Sequence, residues 1–548
     1  MKKIITIIIL AVSLSASAQK NHNYDVARNL EIFSAIYKNL NMMYVDTLDA
    51  SEVVGTGIKA MLRSLDPYTE YYASDEVKNL KQMLTGKYAG IGAIVRKNLK
   101  TGNVCIDEPY FGMPAQEVGL KKGDEILSID DSTMVGKDVS YVSSHLRGDA
   151  GSTFLLKYKR PGQKKPSEVK IKRRAIQLPS VPYYGMLDEN VGYIALNQFT
   201  EGCSQDVRRA FIELRQQGMK GFVFDLRNNG GGSLQEAIKI VNMFVPKGIT
   251  LVTTKGKMKK VNHSYKTDAQ PIDTVMPIVV MVNGLTASAS EITAGSLQDL
   301  DRALVFGTRT YGKGLVQVPI DLPHNTSMKI TTSKYYIPSG RCIQAINYKH
   351  TGGGYREHIP DSLTHVFHTA NGREVRDGGG IKPDVECKGD TIPNIAVYLA
   401  SSGLDSTEVM LNWVVDYIMK HDSIAKPEEF RLSDSEWKDF SKAVVDAGFK
   451  YDRETVKLYD ELIKVAKLEG YYEDNKDEFE ALKSKFKHNL AHELEKNEKQ
   501  IRRELEADII AAYYYQKGEI AYRNGFDKQI QEAKRLVMSD DYQKSITK

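Results

Sequence analysis

Three hydroxyl residues stand at alternate positions in NGLTASASEITAG, residues 283–295: Thr286, Ser288 and Ser290. The apolar run PIVVMVN precedes them, and good helix formers follow from Ala287 to Gln298, with Ile292 and Leu297 on one face. Strand, tight turn at Gly284 and helix would expose a hydroxyl at a helix N-terminus. There unpaired N–H groups and the positive end of the dipole favour a developing anion. That is the chemistry of a serine attacking a carbonyl. The plainer alternative is a capped helix, with Thr286 as N-cap and the two serines filling the first turn.

A serine nucleophile needs a base. GxSxG is absent around Ser288, and the eleven His form no triad by position. Downstream, TRTYGKGLVQVPI sets Lys313 between Gly312 and Gly314, ahead of an alternating strand. The glycines permit close approach and a sharp bend. Alternation predicts Lys313, Leu315 and Gln317 on one face, where Gln317 can orient the amine. As a general base Lys313 must be neutral, whereas an ordinary lysine titrates near ~10.4; burial away from carboxylates lowers it toward the ~7–8 of tuned lysines. A solvated loop lysine is the alternative reading of Lys313 alone.

A third stretch, GFVFDLRNNGGGSLQEA, runs a strand at 222–226 into Asn228, Asn229 and three glycines. Ser233 and Glu236 then predict a capping box on a helix with Ile238, Val241 and Phe244, ending before Pro246. Glycines ahead of a helix offer N–H groups to a phosphate or to an oxyanion. The Gly-Lys-Ser/Thr ending of a phosphate-binding loop is missing, which disfavours a nucleotide. A plain strand-to-helix turn remains the alternative.

The elements that must hold these stretches follow from the rest of the chain. At 548 residues several domains are expected. With 41% hydrophobic and 26% charged residues the composition is globular, and a net charge of +5 gives no reason to invoke nucleic acid. MKKIITIIILAVSLSASAQK reads as a signal peptide, residues 1–18, cut before Gln19. Its apolar stretch is far short of the ~20 residues of a spanning helix. The mature protein is then expected to be soluble and exported, periplasmic or secreted. Cys105, Cys203, Cys342 and Cys387 lack CxxC spacing, leave three pairings open and read mostly as small buried residues.

Residues 19–85 carry amphipathic helical spacing (Leu30, Phe33, Ile36, Tyr37 and Leu40, then Val53, Ile58, Met61 and Leu62) and close with LDPYTEYY. Residues 86–174 read as a small mostly-β domain of short alternating runs. Residues 175–398 alternate strands and helices, an α/β core with substantial parallel pairing. Residues 399–548 are charged and helical, with Ile501, Leu505, Ile509 and Tyr513 at helical spacing, and read as a packing or dimerising appendage.

Together these stretches resemble one family, the C-terminal processing (tail-specific) serine peptidases. SLDPYTEYY, GKYAGIGAIV, PAQEVGLKKGDEILSIDD, GFVFDLRNNGGGSL, VNGLTASASEITAG, TYGKGLVQ, KYYIPSGRCIQ and GIKPDV occur in that family's order and cover most of residues 30–398. The resemblance implies an α/β multidomain protein: a Ser-Lys peptidase core, an inserted mostly-β PDZ domain, and helical N- and C-terminal regions. It implies Ser288 as nucleophile, Lys313 as general base and Gln317 as the residue that positions the lysine. It also implies an oxyanion hole from the N–H of Ala289 and of Gly231 or Gly232. Thr286 departs from the more usual serine but keeps a hydroxyl. In the β domain Gly90, Ile91 and Gly92 are then the backbone cradle for a terminal carboxylate, beside a strand edge that pairs with a peptide. The substrates implied are proteins with apolar C-terminal tails.

Other signals are weaker. HNLAH places His488 and His492 at zinc spacing, yet position 489 is Asn where the base Glu of a zinc protease would stand. SxxK at Ser167, Ser484 and Ser545 follows the KTG of Lys100 rather than preceding it, the reverse of the β-lactamase order. No metal or organic cofactor is expected. The rival function is a catalytically silent PDZ scaffold that captures tails. An activating partner and a homodimer through the helical ends are both compatible with the sequence.

Overall fold

The computed structural model describes residues 2–74, 76–77, 86–345, 359–486 and 489–547, with side chains from residue 22 onward. His488 of HNLAH, and Lys487 and Lys548 of two SxxK matches, lie outside the described residues, as do the side chains of the expected signal peptide. The described residues form two compact units, one within residues 1–77 and 317–331, the other within residues 78–316, 332–346 and 356–548.

In the larger unit, Tyr183–Met186, Val191–Ala195, Gly221–Asp225, Ile278–Val282, Leu304–Gly307 and Val385–Glu386 form a six-stranded sheet in that order. The first pair is antiparallel and the others are parallel. The four central strands are buried at every position, so they read as unbroken apolar runs rather than alternations. Alternate residues serve opposite faces. Ile278, Val280 and Val282 pack with Phe211, Val241 and Ile292 from helices Cys203–Gln216, Leu234–Asn242 and Ala289–Asp299. Val279 and Met281 pack with Ile530, Ala533, Val537 and Tyr542 from helices Lys528–Val537 and Asp540–Thr547. The end of the chain thus covers the second face of the sheet, and the Tyr542 hydroxyl accepts the Ile278 N–H at 3.0 Å.

The β domain is a sheet of Ala93–Lys97, Val104–Pro109, Glu125–Ile129, Thr153–Lys159 and Ser167–Lys172, with Ser132–Thr133 paired to the third strand. Ile106, Ile126, Val142, Leu156 and Ile171 form its core. Helices from Val409 onward build another core around Trp437, Phe440, Ile501 and Leu505 and dock on this domain. The interface mixes apolar contact of Cys105 with Leu411 and Val415 and buried ion pairs. Arg96 meets Glu408 at 2.5 Å, and Lys122 lies between Asp107 at 2.6 Å and Asp508 at 2.8 Å. Helix Glu498–Asn524 breaks at Tyr515 (φ 58°, ψ −172°), and the next N–H, of Gln516, donates to Glu108 at 2.9 Å.

Burial pushes the Glu108 carboxyl up to about 7 from its ordinary 4.5, with Glu519 adding to the rise. The folded chain therefore holds this proton more tightly than the unfolded chain does, and stability falls as pH rises from about 4.5 to about 7. At about 1.4 kcal/mol per pH unit the loss is at most about 3.5 kcal/mol. The urea midpoint is expected to drop between pH 5 and pH 7.5 in the wild type and to drop less in Glu108→Gln. An equal drop in both would refute this assignment.

The smaller unit contains helices Lys2–Met43 and Ala50–Arg63, the second capped by Asp49. Leu30, Phe33, Ile36 and Leu40, read as one apolar face, are exposed. The Asp66 carboxylate of SLDPYTEYY accepts the N–H groups of Tyr68 and Thr69 and the Thr69 hydroxyl, a buried turn. Strand Glu70–Tyr72 then pairs with residues 327–329, and the Thr331 N–H donates to Thr69 Oγ1 at 3.2 Å. Among the described residues no helix is long and apolar enough to cross a membrane.

Candidate active site

Gly221–Asp225, Ile278–Val282 and Leu304–Gly307 are adjacent and parallel, so the loops that leave their carboxyl ends meet. Those loops hold Gly231, Ser288 and Lys313. The crevice at the carboxyl ends of parallel strands is where open α/β sheets place ligand sites. Main-chain and side-chain hydrogen bonds stitch the loops together. Asn283 and Asn228 bond each other twice, at 3.0 and 2.8 Å, and the Ala287 and Tyr311 N–H groups donate to Asn229 and Thr286 carbonyls.

The three hydroxyls separate by this geometry. Thr286 Oγ1 donates to the Leu226 carbonyl at 2.8 Å and Ser290 Oγ to the Asn229 carbonyl at 2.9 Å, and both residues are fully buried. They are struts between loops. Ser288 is only half-buried and, rather than Thr286, is the N-cap of helix Ala289–Asp299. Its backbone has φ 57° and ψ −115°, a conformation that costs a non-glycine residue about 1–3 kcal/mol. A sharp, strained strand-to-helix turn lifts the side chain off the sheet, the geometry of the nucleophile elbow in the α/β-hydrolase fold.

Glu291, three residues on, fixes that turn. Its Oε2 accepts the Ser288 N–H at 2.9 Å and the Lys313 N–H at 2.8 Å. Its Oε1 accepts the Gly312 N–H at 2.7 Å and the Thr310 hydroxyl at 2.5 Å. Burial pushes this carboxyl above its ordinary value, and the four donors pull against that rise. On the carbonyl side, the buried Tyr335 hydroxyl reaches Lys313 O at 2.7 Å and Ser288 O at 3.3 Å.

Lys313 lies in irregular chain before strand Leu315–Leu322 rather than within its alternation. The reason is local. Gly312 (φ 87°) and Gly314 run against residues 344–345, where the Ala345 N–H bonds Gly312 O and Gln344 Oε1 accepts the Gly314 N–H. A Cβ on Gly312 would stand 2.3 Å from Ala345 Cβ, so the pair of glycines serves close chain approach. Gln317 lies on that strand in the smaller unit, and its amide donates to Thr331 Oγ1 at 3.1 Å.

The glycine run approaches the serine. A Cβ on Gly231 (φ 98°) would lie 2.7 Å from Ala287 O, 2.8 Å from Ser288 Cβ and 2.9 Å from the Ala289 nitrogen. The Gly231 N–H donates to Asn229 Oδ1 at 2.9 Å, while Gly232 bridges to Phe199. Ala289 opens the helix, so its N–H has no intrahelical partner. Ser233 caps helix Leu234–Asn242, but the box is not reciprocal: Glu236 turns instead to the Ser204 N–H at 2.9 Å and to Lys239.

In the β domain, Gly90 ends strand Lys87–Gly90, Ile91 is buried with its carbonyl on the Ala115 N–H, and Gly92 (φ 69°) accepts from Tyr110. These residues lead into Ala93–Lys97, an edge strand beside helix Val139–Leu146. All four cysteines are free thiols, Cys105 and Cys203 fully buried and Cys342 and Cys387 partly so. Burial pushes the Cys105 thiol up to about 12, which removes it from thiolate chemistry at neutral pH.

A parallel sheet with a strained serine at a helix start, a lysine loop beside it and a glycine run against it defines a hydrolase class of site. Residues 190–351 match peptidase family S41, residues 88–171 match the PDZ domain, and residues 400–537 match the C-terminal helical domain of a probable PDZ-protease. The chain is 34% identical over 347 residues to the carboxy-terminal-processing protease of Bartonella bacilliformis, covering 62% of this chain and 77% of that protein. It is also 34% identical over 346 residues to a probable CtpA-like serine protease of Staphylococcus epidermidis, covering 62% and 69%. Among solved structures, the photosystem II D1 C-terminal processing protease is 26% identical, with a TM-score of 0.36 over 66% of this chain and 88% of that one. The chain belongs to the carboxy-terminal-processing proteases of peptidase family S41 and is a serine-type peptidase with a PDZ domain.

Glu291 and Tyr335 carry the main-chain contacts of Ser288 and Lys313 without a chemical motif of their own in the sequence. Ser288-x-x-Glu291 is a capping-box spacing, so Glu291 was within reach of pattern.

Proposed function

We propose that the protein is an exported endopeptidase that takes protein C-terminal tails on its PDZ domain and cuts peptide bonds with Ser288 and Lys313. The observation that carries this reading is the sharing of Glu291 Oε2 by the Ser288 and Lys313 N–H groups, which pins serine and lysine loops to one atom. Neutral Lys313 removes the Ser288 proton as Oγ attacks the carbonyl carbon. The oxyanion is held by N–H groups, and the lysine ammonium protonates the leaving amine. Water, deprotonated by Lys313, then releases the acyl group. No step needs a metal or an organic cofactor.

Ala289 supplies one oxyanion donor, and of the two glycines Gly231 is the better second, since its chain lies against Ser288 whereas Gly232 faces Phe199. Substrate must then draw the Gly231 N–H away from Asn229, which suits a resting site that a bound tail or an activating partner completes. Gln317 positions the lysine in the assembled site. Residues 1–18 direct export, and the exposed face of Leu30, Phe33, Ile36 and Leu40 supports a homodimer, an assignment that a monomer in light scattering would remove.

An unfolded protein ending in an apolar tail tests the whole reading. Cleavage by the wild type is expected to be about tenfold or more faster with a free tail than with an amidated one, because the carboxylate is what the Gly90–Gly92 cradle receives. Equal rates would remove tail recognition. Tail binding without any cleavage would favour the silent scaffold.

A further inference from the structure

We infer that Glu291 and Tyr335 are positioning residues that hold nucleophile and base in register by clamping the main chains of Ser288 and Lys313 on both sides. The inference rests on reading Ser288 and Lys313 as nucleophile and base. Their N–H groups go to one oxygen of Glu291, at 2.9 and 2.8 Å, and the single proton of the Tyr335 hydroxyl goes to the Lys313 carbonyl at 2.7 Å, with the Ser288 carbonyl its weaker, shared acceptor at 3.3 Å.

A cap alone does not require this arrangement. An N-cap needs only the reciprocal bond between Ser288 and Glu291. The remaining three donors on the carboxylate come from residues 310–313, an irregular segment that no helix or strand holds. Glu291 is fully buried on helix Ala289–Asp299, so it carries the rigidity of the core into that segment. Tyr335 is anchored separately: its N–H donates to Gly314 O at 3.0 Å, and its ring lies in the main core cluster with Ile337 and Ile292. The lysine loop is thereby tied to the serine turn from two independent elements. A backbone displacement of even about 1 Å between reacting groups costs on the order of a hundredfold in rate, so such a clamp has a catalytic consequence.

Tyr335→Phe removes the hydroxyl and keeps the ring in the core. Glu291→Gln keeps shape but sets an amide NH2 against donors. The experiment measures kcat, KM, the single-turnover acylation rate, tail affinity and the urea midpoint for both variants, with Ser288→Ala alongside. The expected result is a fall in kcat and acylation of about tenfold to a hundredfold, with KM and tail affinity within about twofold of wild type. A merely structural role would lower activity only in step with the fraction folded. Either that proportionality, or kcat within twofold of wild type in both variants, would overturn the inference. A Ser288→Ala protein that still turns over would instead overturn the underlying reading, and the inference with it.

Discussion

Lys313→Ala is expected to lower kcat by about 10⁴-fold or more while leaving the folded protein and tail binding intact, in line with the loss of a member of a serine protease's catalytic set. The magnitude follows from the site's composition. The eleven His supply no triad by position, and Glu291, which holds the main chains of both Ser288 and Lys313, has both oxygens occupied by four donors. Glu291 is therefore not available as a second base for the Ser288 hydroxyl. Lys313→Arg should fail equally, because a guanidinium stays protonated at any working pH. The Lys313 main chain bonds Glu291 and Tyr335, and alanine keeps those bonds. Steady-state kinetics with a tailed substrate is the measurement. Activity within tenfold of wild type would show that another group takes the proton.

Gly231→Ala is expected to lower kcat by about 10²–10³-fold, the scale of losing one oxyanion donor, and to destabilise the fold by about 1–3 kcal/mol. A methyl there collides with Ala287 O at 2.7 Å, Ser288 Cβ at 2.8 Å and the Ala289 nitrogen at 2.9 Å, all of them parts of the strained turn. The φ of 98° adds backbone strain. The chain can relieve both only by moving the serine, its neighbouring N–H or the glycine loop. Gly230→Ala is the control, since a Cβ there meets nothing within 4 Å. Paired measurement of kcat and urea midpoint separates the two effects. Equal activity of the two variants would mean that the glycine run only makes a turn.

Much of this site was legible because its signals are local. Ile278–Val282 is apolar at every position, as a strand covered on both faces must be, and the glycine and hydroxyls that follow it announce a turn at a helix start. Periodicity misled at Lys313. The strand alternation that begins at Leu315 was extended two residues too far, into a segment that Glu291, Gln344 and Ala345 hold in an irregular path. Thr286 offers itself as a cap in the alternative reading because caps favour hydroxyls. Its real partner, the Leu226 carbonyl, is 60 residues away in sequence and invisible to local pattern. Tyr335 was illegible for the same reason, 22 residues from Lys313 and 47 from Ser288. The charge and helical spacing of residues 399–548 mark a helical appendage, but they do not say which surface helices Lys528–Val537 and Asp540–Thr547 cover. Only packing shows them on the second face of the peptidase sheet.

The most direct measurement is acid quenching of the wild type during turnover of a tailed substrate, followed by mass spectrometry of the peptide that contains Ser288. The expected result is a substrate acyl group esterified to Ser288, present in the wild type and absent from both Ser288→Ala and Lys313→Ala. Substrate cleavage at the wild-type rate by Ser288→Ala, with no adduct on Ser288 in the wild type, would contradict it.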